Sequence, residues 1–260
     1  MVWIVRCGHR APGRTRMTSS IKILPWDSRF FGRKIARVTA PRLTPTIART
    51  ALSGCAKKHV ECLYFLASSN DGSSITCAQA NGFRLMDIRV TLARTLSSAV
   101  RIQSEPQTAI ISYRSARPSD LGSLRHLATT VFPYSRFAED SKFPRGAHRK
   151  LFAEWVAKSV RGGFDDWVGV AVQRGQLTGF VSCRQTGRGT GIIGLIGVAR
   201  AFRRHGIGRG LLQHASDWFT RHQIRHISVV TQGRAVEAQR FYQDGGFRTS
   251  RVDLWYHKWF

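Results

Sequence analysis

The stretch Ile192-Ile193-Gly194-Leu195-Ile196-Gly197-Val198 leads through Arg203-Arg204-His205-Gly206-Ile207-Gly208 into a helical pattern. The first seven residues are apolar apart from glycine and read as a buried strand. After the loop, Leu211, Leu212, Ala215, Trp218 and Phe219 recur at i, i+1, i+4, i+7 and i+8, so the helix over 209–222 buries one face. Strand, basic glycine-containing loop and helix is the order that an anion site requires. Gly206 and Gly208 let the backbone come close to a ligand, several N–H groups converge, and the positive end of the helix dipole adds its share. A pyrophosphate fits such a concavity; a tight strand-to-helix turn in a basic chain has the same spacing. A dinucleotide-binding fingerprint is disfavoured because Leu211 stands where its third glycine belongs.

Outward from this stretch, the second half of the chain reads as a strand over 110–114 and a helix started by Pro118-Ser119-Asp120, with Leu121, Leu124, Leu127 and Ala128 on one face. A second amphipathic helix covers 147–161, and strands over 167–173 and 177–185 make a hairpin through Arg174-Gly175. Beyond the helix over 209–222 come a strand over 227–231, a helix over 236–244 and a strand over 250–258. In the first half, strands over 22–24 and 36–39 flank the turn-rich Trp26-Asp27-Ser28-Arg29-Phe30-Phe31-Gly32. Helix (44–58), strand (62–67), helix (74–81) and strand (84–92) then alternate, as in an α/β layer. The polar stretch 94–108 reads as a linker. Strand, loop, helix, Gly-Phe and strand occur both at 62–92, with Gly82-Phe83, and at 227–258, with Gly246-Phe247, so the first half reads as a degenerate copy of the end of the second. The expected organisation is a domain over 17–108 and a domain over 109–260.

Lys and Arg number 41 against 15 Asp and Glu, a formal charge of +26, which attracts any polyanion without choosing among them. The bases are spread through helices, strands and loops, and no basic helix, zinc finger or aromatic-and-basic sheet motif is visible, so nucleic acid is disfavoured as the partner. Cys7, Cys55, Cys62, Cys77 and Cys183 are odd in number and lack C-x-x-C spacing, which argues against a disulfide framework and against a zinc site and favours a reducing, cytoplasmic setting. No apolar run reaches the roughly 18–20 residues of a membrane span. Residues 1–16 hold Arg6, Arg10, Arg14 and Arg16 and no acid; they read as a basic tail outside the fold, with a transit peptide as the alternative.

Arg203, Gly206 and Gly208 meet the signature Arg/Gln-x-x-Gly-x-Gly/Ala, and Ala238-Gln239-Arg240-Phe241-Tyr242 with Gly246-Phe247 is similar to A-x-x-[LF]-Y-x-x-x-G-F. On these residues the stretch 110–260 resembles the GNAT N-acetyltransferases. The resemblance implies an α/β (α+β) fold with a GNAT-type mixed central sheet flanked by helices, the first half being a smaller α/β domain like part of a GNAT unit. It implies acetyl-CoA as co-substrate and no metal. The loop residues Arg203, Arg204, His205, Gly206, Ile207, Gly208 and Arg209 would hold its pyrophosphate, and the backbone of Leu195, Ile196, Gly197 and Val198 its pantetheine arm and acyl carbonyl. Tyr242 would be the general acid that protonates the departing thiolate. The family usually places a cofactor-contacting Asn three residues before Ala238, where this chain has Ala235.

A narrower resemblance spans most of the chain, to bacterial acetyltransferases of nucleotide-linked amino sugars, the TDP-fucosamine acetyltransferases above all. It rests on 24–32, Gly82-Phe83-Arg84-Leu85, Ser135-Arg136-Phe137, Trp155, Val160-Arg161-Gly162 and Thr231-Gln232-Gly233-Arg234. It implies a nucleotide-linked 4-amino sugar as acceptor, Asp87 as a base acting through water, and Arg29, Phe31, Arg136 and Arg161 as substrate-binding residues; it leaves a homodimer open. Two other readings remain: a GNAT enzyme for a protein, amino-acid or antibiotic amine, and an inactive relative that binds nucleic acid.

Overall fold

The computed structural model describes residues 20–96 and 111–260. The basic tail and the domain boundary read near residue 108 both lie outside the described residues. Two compact units emerge: one from the described residues up to Arg89, with Glu139–Pro144 and Val252–Phe260, the other from the described residues of Val90–Ala138 and Arg145–Arg251.

The first unit begins with β1 (Ile21–Ile23), α1 (Pro25–Phe31), β2 (Ile35–Val38), α2 (Pro45–Lys57), β3 (Cys62–Ser68), α3 (Gly72–Ala80) and the start of β4 (Arg84–Thr95). In place of the turn expected at Trp26–Gly32 there is a helix. Pro25 supplies a preset φ at its first position, Trp26 and Phe30 stack one turn apart with ring centroids 4.9 Å apart, and Gly32 ends it at φ 64°. β1 and β2 are antiparallel and β2 and β3 parallel. Ala36, Leu63, Phe65, Ala67 and Phe83 fill the core beneath them.

In the second unit, β5 (Ile111–Ser115) precedes α4 (Leu121–Val131), α5 (Arg136–Glu139) and α6 (Ala147–Val160). β6 (Trp167–Gln173), β7 (Gln176–Gly187) and β8 (Thr190–Val198) follow, then α7 (Ile207–Arg221), β9 (His226–Gln232), α8 (Val236–Asp244) and β10 (Arg248–Trp259). The strand order here runs β9-β8-β7-β6-β5. Pairing is antiparallel from β5 to β8 and parallel between β8 and β9, so the fold is mixed α/β with a mixed sheet and flanking helices. A short 3-10 turn, Pro118–Asp120, leads into α4, and the Asp120 carboxylate accepts both Arg114 guanidinium nitrogens (2.7 and 2.9 Å) and the Arg117 N–H (2.7 Å).

β4 continues to Thr95, into the stretch read as linker. Leu96 is buried there, Arg94 donates to the Gly245 carbonyl (3.0 Å) and the Leu96 N–H to that of Arg225 (2.7 Å), so the start of this polar stretch stays with the sheet. The four-residue α5 has no counterpart in the sequence reading; it is too short for a periodic signal. β10 contributes to both units, and its end pairs antiparallel with β3 from Asp253↔Ser68 to Trp259↔Cys62. In the first unit the Asp140 carboxylate bonds His257 Nδ1 (2.7 Å) and Trp259 Nε1 (2.8 Å). Burial pushes that carboxyl up, but the bonds from His257 and Trp259 outweigh it and hold it below its usual value. No helix among the described residues is long and apolar enough to cross a membrane. Cys55, Cys62, Cys77 and Cys183 are buried.

α7 is the centre of the second unit's core. Ile207, Leu211, Leu212, Ala215, Trp218 and Phe219 are buried, as the spacing predicts, and pack with Val181, Ile193, Val229 and Phe247. The close approach is allowed by Gly191 of β8, where a Cβ would lie 2.5 Å from the Phe219 ring. Leu211→Ala should therefore lower the unfolding free energy by about 2–5 kcal/mol, the usual cost of a buried Leu-to-Ala cavity, read from denaturant or thermal unfolding.

Candidate functional site

β8 carries one residue more than β7 opposite it. The register is Cys183↔Ile193 on one side and Ser182↔Leu195 on the other, which leaves Gly194 as a bulge. Beyond the bulge two hydrogen bonds fix the phase of the strand. The Leu195 N–H donates to the Ser182 hydroxyl (2.9 Å) and the Ala199 N–H to the Thr178 carbonyl (2.8 Å). Backbone groups alternate between the two edges, so the N–H groups of Leu195, Gly197 and Ala199 face β7 and those of Ile196 and Val198 face the opposite edge. On that edge the pairing with β9 ends at Ile193↔Val229, although β8 continues to Val198. Of the four strand residues read as cofactor-binding, Ile196 and Val198 thus present their N–H groups to the open edge, while Leu195 is buried and Gly197 lies close under Val131 of α4.

The loop after β8 passes through a 3-10 turn, Arg200–Phe202, and then turns twice through left-handed backbone, at Arg204 (φ 66°) and Gly206 (φ 75°). Arg203 Nε donates to the Val198 carbonyl (3.1 Å) and ties the loop to the strand end. Gly206 is the N-cap of α7 and brings no side chain to cap it, so the helix presents its first N–H groups and the positive end of its dipole outward. Arg203, Arg204, His205, Gly206 and Arg209 are exposed around that terminus, whereas Ile207 is buried and anchors the helix to the core. The two glycines serve different ends. Gly206 is needed for its positive φ, with nothing within 4 Å of a Cβ; at Gly208 a Cβ would stand 3.1 Å from Phe241, so this glycine brings α7 against α8.

Tyr242, on α8, is 5% exposed and sits in the core among Leu211, Leu212 and Phe247, its ring centroid 5.2 Å from Phe241 and 5.8 Å from Phe247. Burial pushes its phenol well above the ordinary tyrosine value, so the hydroxyl keeps its proton at neutral pH and can donate but not abstract one. Ala235 is the N-cap of α8 and makes no side-chain cap. Gln239 Nε2, one turn further on, donates to the carbonyls of Gln232 (3.1 Å) and Gly233 (2.9 Å) and secures the end of β9.

The residues expected to meet the acceptor divide between the units. Asp87, half-buried on β4, belongs to the first, as do Arg29, exposed on α1, and Phe31, which is 5% exposed and packs on Phe143 with centroids 4.6 Å apart. Arg136 and Arg161 belong to the second. Arg136 is buried with its guanidinium 4.6 Å from the Phe137 ring centroid, and Arg161 is exposed at the end of α6. No group of three or more His, Cys, Asp or Glu among the described residues could hold a metal ion.

Sequence reasoning passed over Asp165. Its Oδ2, buried just before β6, accepts the Ser182 hydroxyl (2.6 Å), the Trp155 indole N–H (2.7 Å) and the Ser159 hydroxyl (3.2 Å). Burial pushes this carboxyl up, against the lowering by the Ser182 and Trp155 bonds. The only signal in the sequence was an acid just before an apolar strand, which by itself reads as turn chemistry.

Residues 124–247, which include β8, the loop, α7 and Tyr242, match the family model described as Acetyltransferase (GNAT) family. Among solved structures the chain is similar to a GCN5-related N-acetyltransferase from Sphaerobacter thermophilus, at 16% identity over 92% of this chain and 76% of that one, with TM-score 0.65. It is also similar to a tandem GNAT protein from the clavulanic acid biosynthesis pathway (16% identity, 88% of this chain and 76% of that one, TM-score 0.64). A third is a fungal multi-domain GH3 β-N-acetylglucosaminidase containing a GCN5-related glucosamine N-acetyltransferase region (17% identity, 87% of this chain and 30% of that one, TM-score 0.60). At these identities the likeness is one of fold. No curated protein is significantly similar to the chain. Residues 124–247 are thus similar to GNAT acetyltransferases on a mixed α/β fold, and the chain is an acyltransferase.

Proposed function

We propose that the protein transfers an acetyl group from acetyl-CoA to the amine of a nucleotide-linked 4-amino sugar. The observation that carries the acetyl-CoA part is the uncapped N-terminus of α7 at Gly206, ringed by Arg203, Arg204 and Arg209, directly after a strand whose outer edge has lost its partner. A pyrophosphate suits the first feature and an amide-containing arm the second. The sugar acceptor is supported by the motif resemblance of 24–32, Arg136 and Arg161 in the sequence. The glucosamine N-acetyltransferase region among the similar folds supports it as analogy only.

When bound, acetyl-CoA supplies the thioester: the amine nitrogen bonds to the acyl carbon as the carbon–sulfur bond breaks, and CoA leaves as its thiolate. The backbone N–H groups of Ile196 and Val198 are the donors available to an arm or a carbonyl along the open edge of β8. Tyr242 gives its proton to the thiolate, and the attacking amine loses one to water. Arg29 and Arg161, each exposed, are forked donors of the kind that a nucleotide's phosphates accept.

Gly206→Asp tests the anion site. Aspartate tolerates left-handed backbone better than most residues and finds open space here, so the variant should fold, while its carboxylate opposes the pyrophosphate. Acetyl-CoA at a hundred times its dissociation constant should stabilise the wild type by about 2.7 kcal/mol and leave the variant's melting temperature unmoved. Equal stabilisation of both would remove the cofactor from this loop.

Tyr242→Phe keeps the ring's packing and removes only the hydroxyl. With a panel of nucleotide-linked 4-amino sugars followed by mass measurement, the variant should bind acetyl-CoA as the wild type does and lose roughly 10²-fold or more in kcat. A stability change of about 1 kcal/mol with kcat intact would make the residue a packing element. Acetylation of none of the sugars by a wild type that binds acetyl-CoA would overturn the acceptor class and leave the cofactor site standing.

A further inference from the structure

Because the period of a strand is two, the extra residue at Gly194 decides which N–H groups of β8 face the open edge. If the strand instead alternated regularly through Gly194, Leu195 and Gly197 would face that edge and Ile196 and Val198 would face β7. A bulge interrupts the ladder, and here the interruption falls on the Leu195 N–H, which bonds the Ser182 side chain at 2.9 Å. Ser182 is fully buried, and its hydroxyl hydrogen goes to Asp165 Oδ2 at 2.6 Å, which leaves an oxygen lone pair for Leu195. Asp165 is held in turn by Trp155 and Ser159, and its Oδ2 reaches over the strand at the bulge: a Cβ at Gly194 would collide with it and stand 2.9 Å from the Ser182 oxygen. The carboxylate, the hydroxyl and the glycine therefore require one another.

We infer that Asp165 and Ser182 are positioning residues of the acyl-transfer site: through the Leu195 N–H they hold the bulge at Gly194 and so keep the Ile196 and Val198 N–H groups on the edge that receives acetyl-CoA. The inference rests on the proposed use of that edge. Neither residue touches the ligand. Their contribution is the phase of the strand, in the same way that a catalytic carbonyl site depends on donors fixed before the reaction begins.

Ser182→Ala and Asp165→Asn, made in the full chain, test it beside a control from the first unit. There Ser74 makes the same arrangement, with its oxygen accepting the Leu43 N–H (2.8 Å) and its hydroxyl donating to Asp71 (2.6 Å). Acetyl-CoA affinity is read by titration calorimetry, and site-resolved amide exchange is followed at residues 195–198 with and without CoA. In the wild type the Leu195 amide should be protected throughout, and those of Ile196 and Val198 only when CoA is present. Ser182→Ala and Asp165→Asn should melt cooperatively, lose protection at Leu195, and bind acetyl-CoA about tenfold or more weakly, the scale of one or two lost backbone hydrogen bonds; Ser74→Ala should keep wild-type affinity and exchange at these amides. Wild-type affinity and CoA-dependent protection in both network variants would overturn the inference alone. So would an equal loss in Ser74→Ala, or failure of Ser182→Ala to fold, either of which would make the network a matter of general stability. A wild type that does not bind acetyl-CoA would instead overturn the proposed function, and this inference with it.

Discussion

The apolar stripe of α7 against β6, β7 and β8 is the contact from which the rest of the second unit follows. Leu211, Ala215 and Phe219 are fully buried, and the strands beneath them approach closely because Gly191 has no side chain to hold the helix off. With the helix axis fixed in this way, its first turn can end in only one place, beside the end of β8. The loop between them is short and must reverse direction, which it does through left-handed backbone at Arg204 and Gly206. The exposed N–H groups at the helix start are thus a product of core packing, and the loop costs the fold only the strain of one non-glycine residue at positive φ.

Periodic burial made most of the fold legible in the sequence. The stripe on α7, the faces of α4 and α6, the hairpin at Arg174-Gly175 and the Gly-Phe ends of the two similar segments all lie where the residues say, because hydrophobic spacing is a local property. The misreadings have local causes as well. Trp26–Gly32 is rich in turn-forming residues, yet a proline at the first position and an aromatic pair one turn apart make it helical. Arg94 looks like linker because its partner, the Gly245 carbonyl, lies 151 residues away. The candidate site was legible only in its loop. The phase of β8 depends on a bulge, and a bulge is set by side chains from β7 and from the turn before β6, neither of which announces itself by spacing.

Tyr242 shows how packing sets the ionisation of a side chain. The ring is part of the core that joins α8 to α7, and the same burial raises the cost of ionising the phenol. A group so placed keeps its proton at neutral pH. The glycine at 208 belongs to the same logic: it lets α8 pack against the first turn of α7, next to the loop that follows β8.

The sharing of β10 bears on the order in which the chain can fold. β1, β2 and β3 leave the ribosome well before β10, yet their unit also takes in Val252–Phe260, and β3 pairs with that segment along its whole length. At about 5–20 residues per second, the pairing edge of β3 waits on the order of ten seconds or more for its partner. During synthesis it is an unpaired strand edge beside an incomplete core, the kind of surface that chaperones recognise and that aggregates when unattended. The second unit, nearly complete once α8 has emerged, can be folded while the first is still open, so the first unit would be the later of the two to reach its native state.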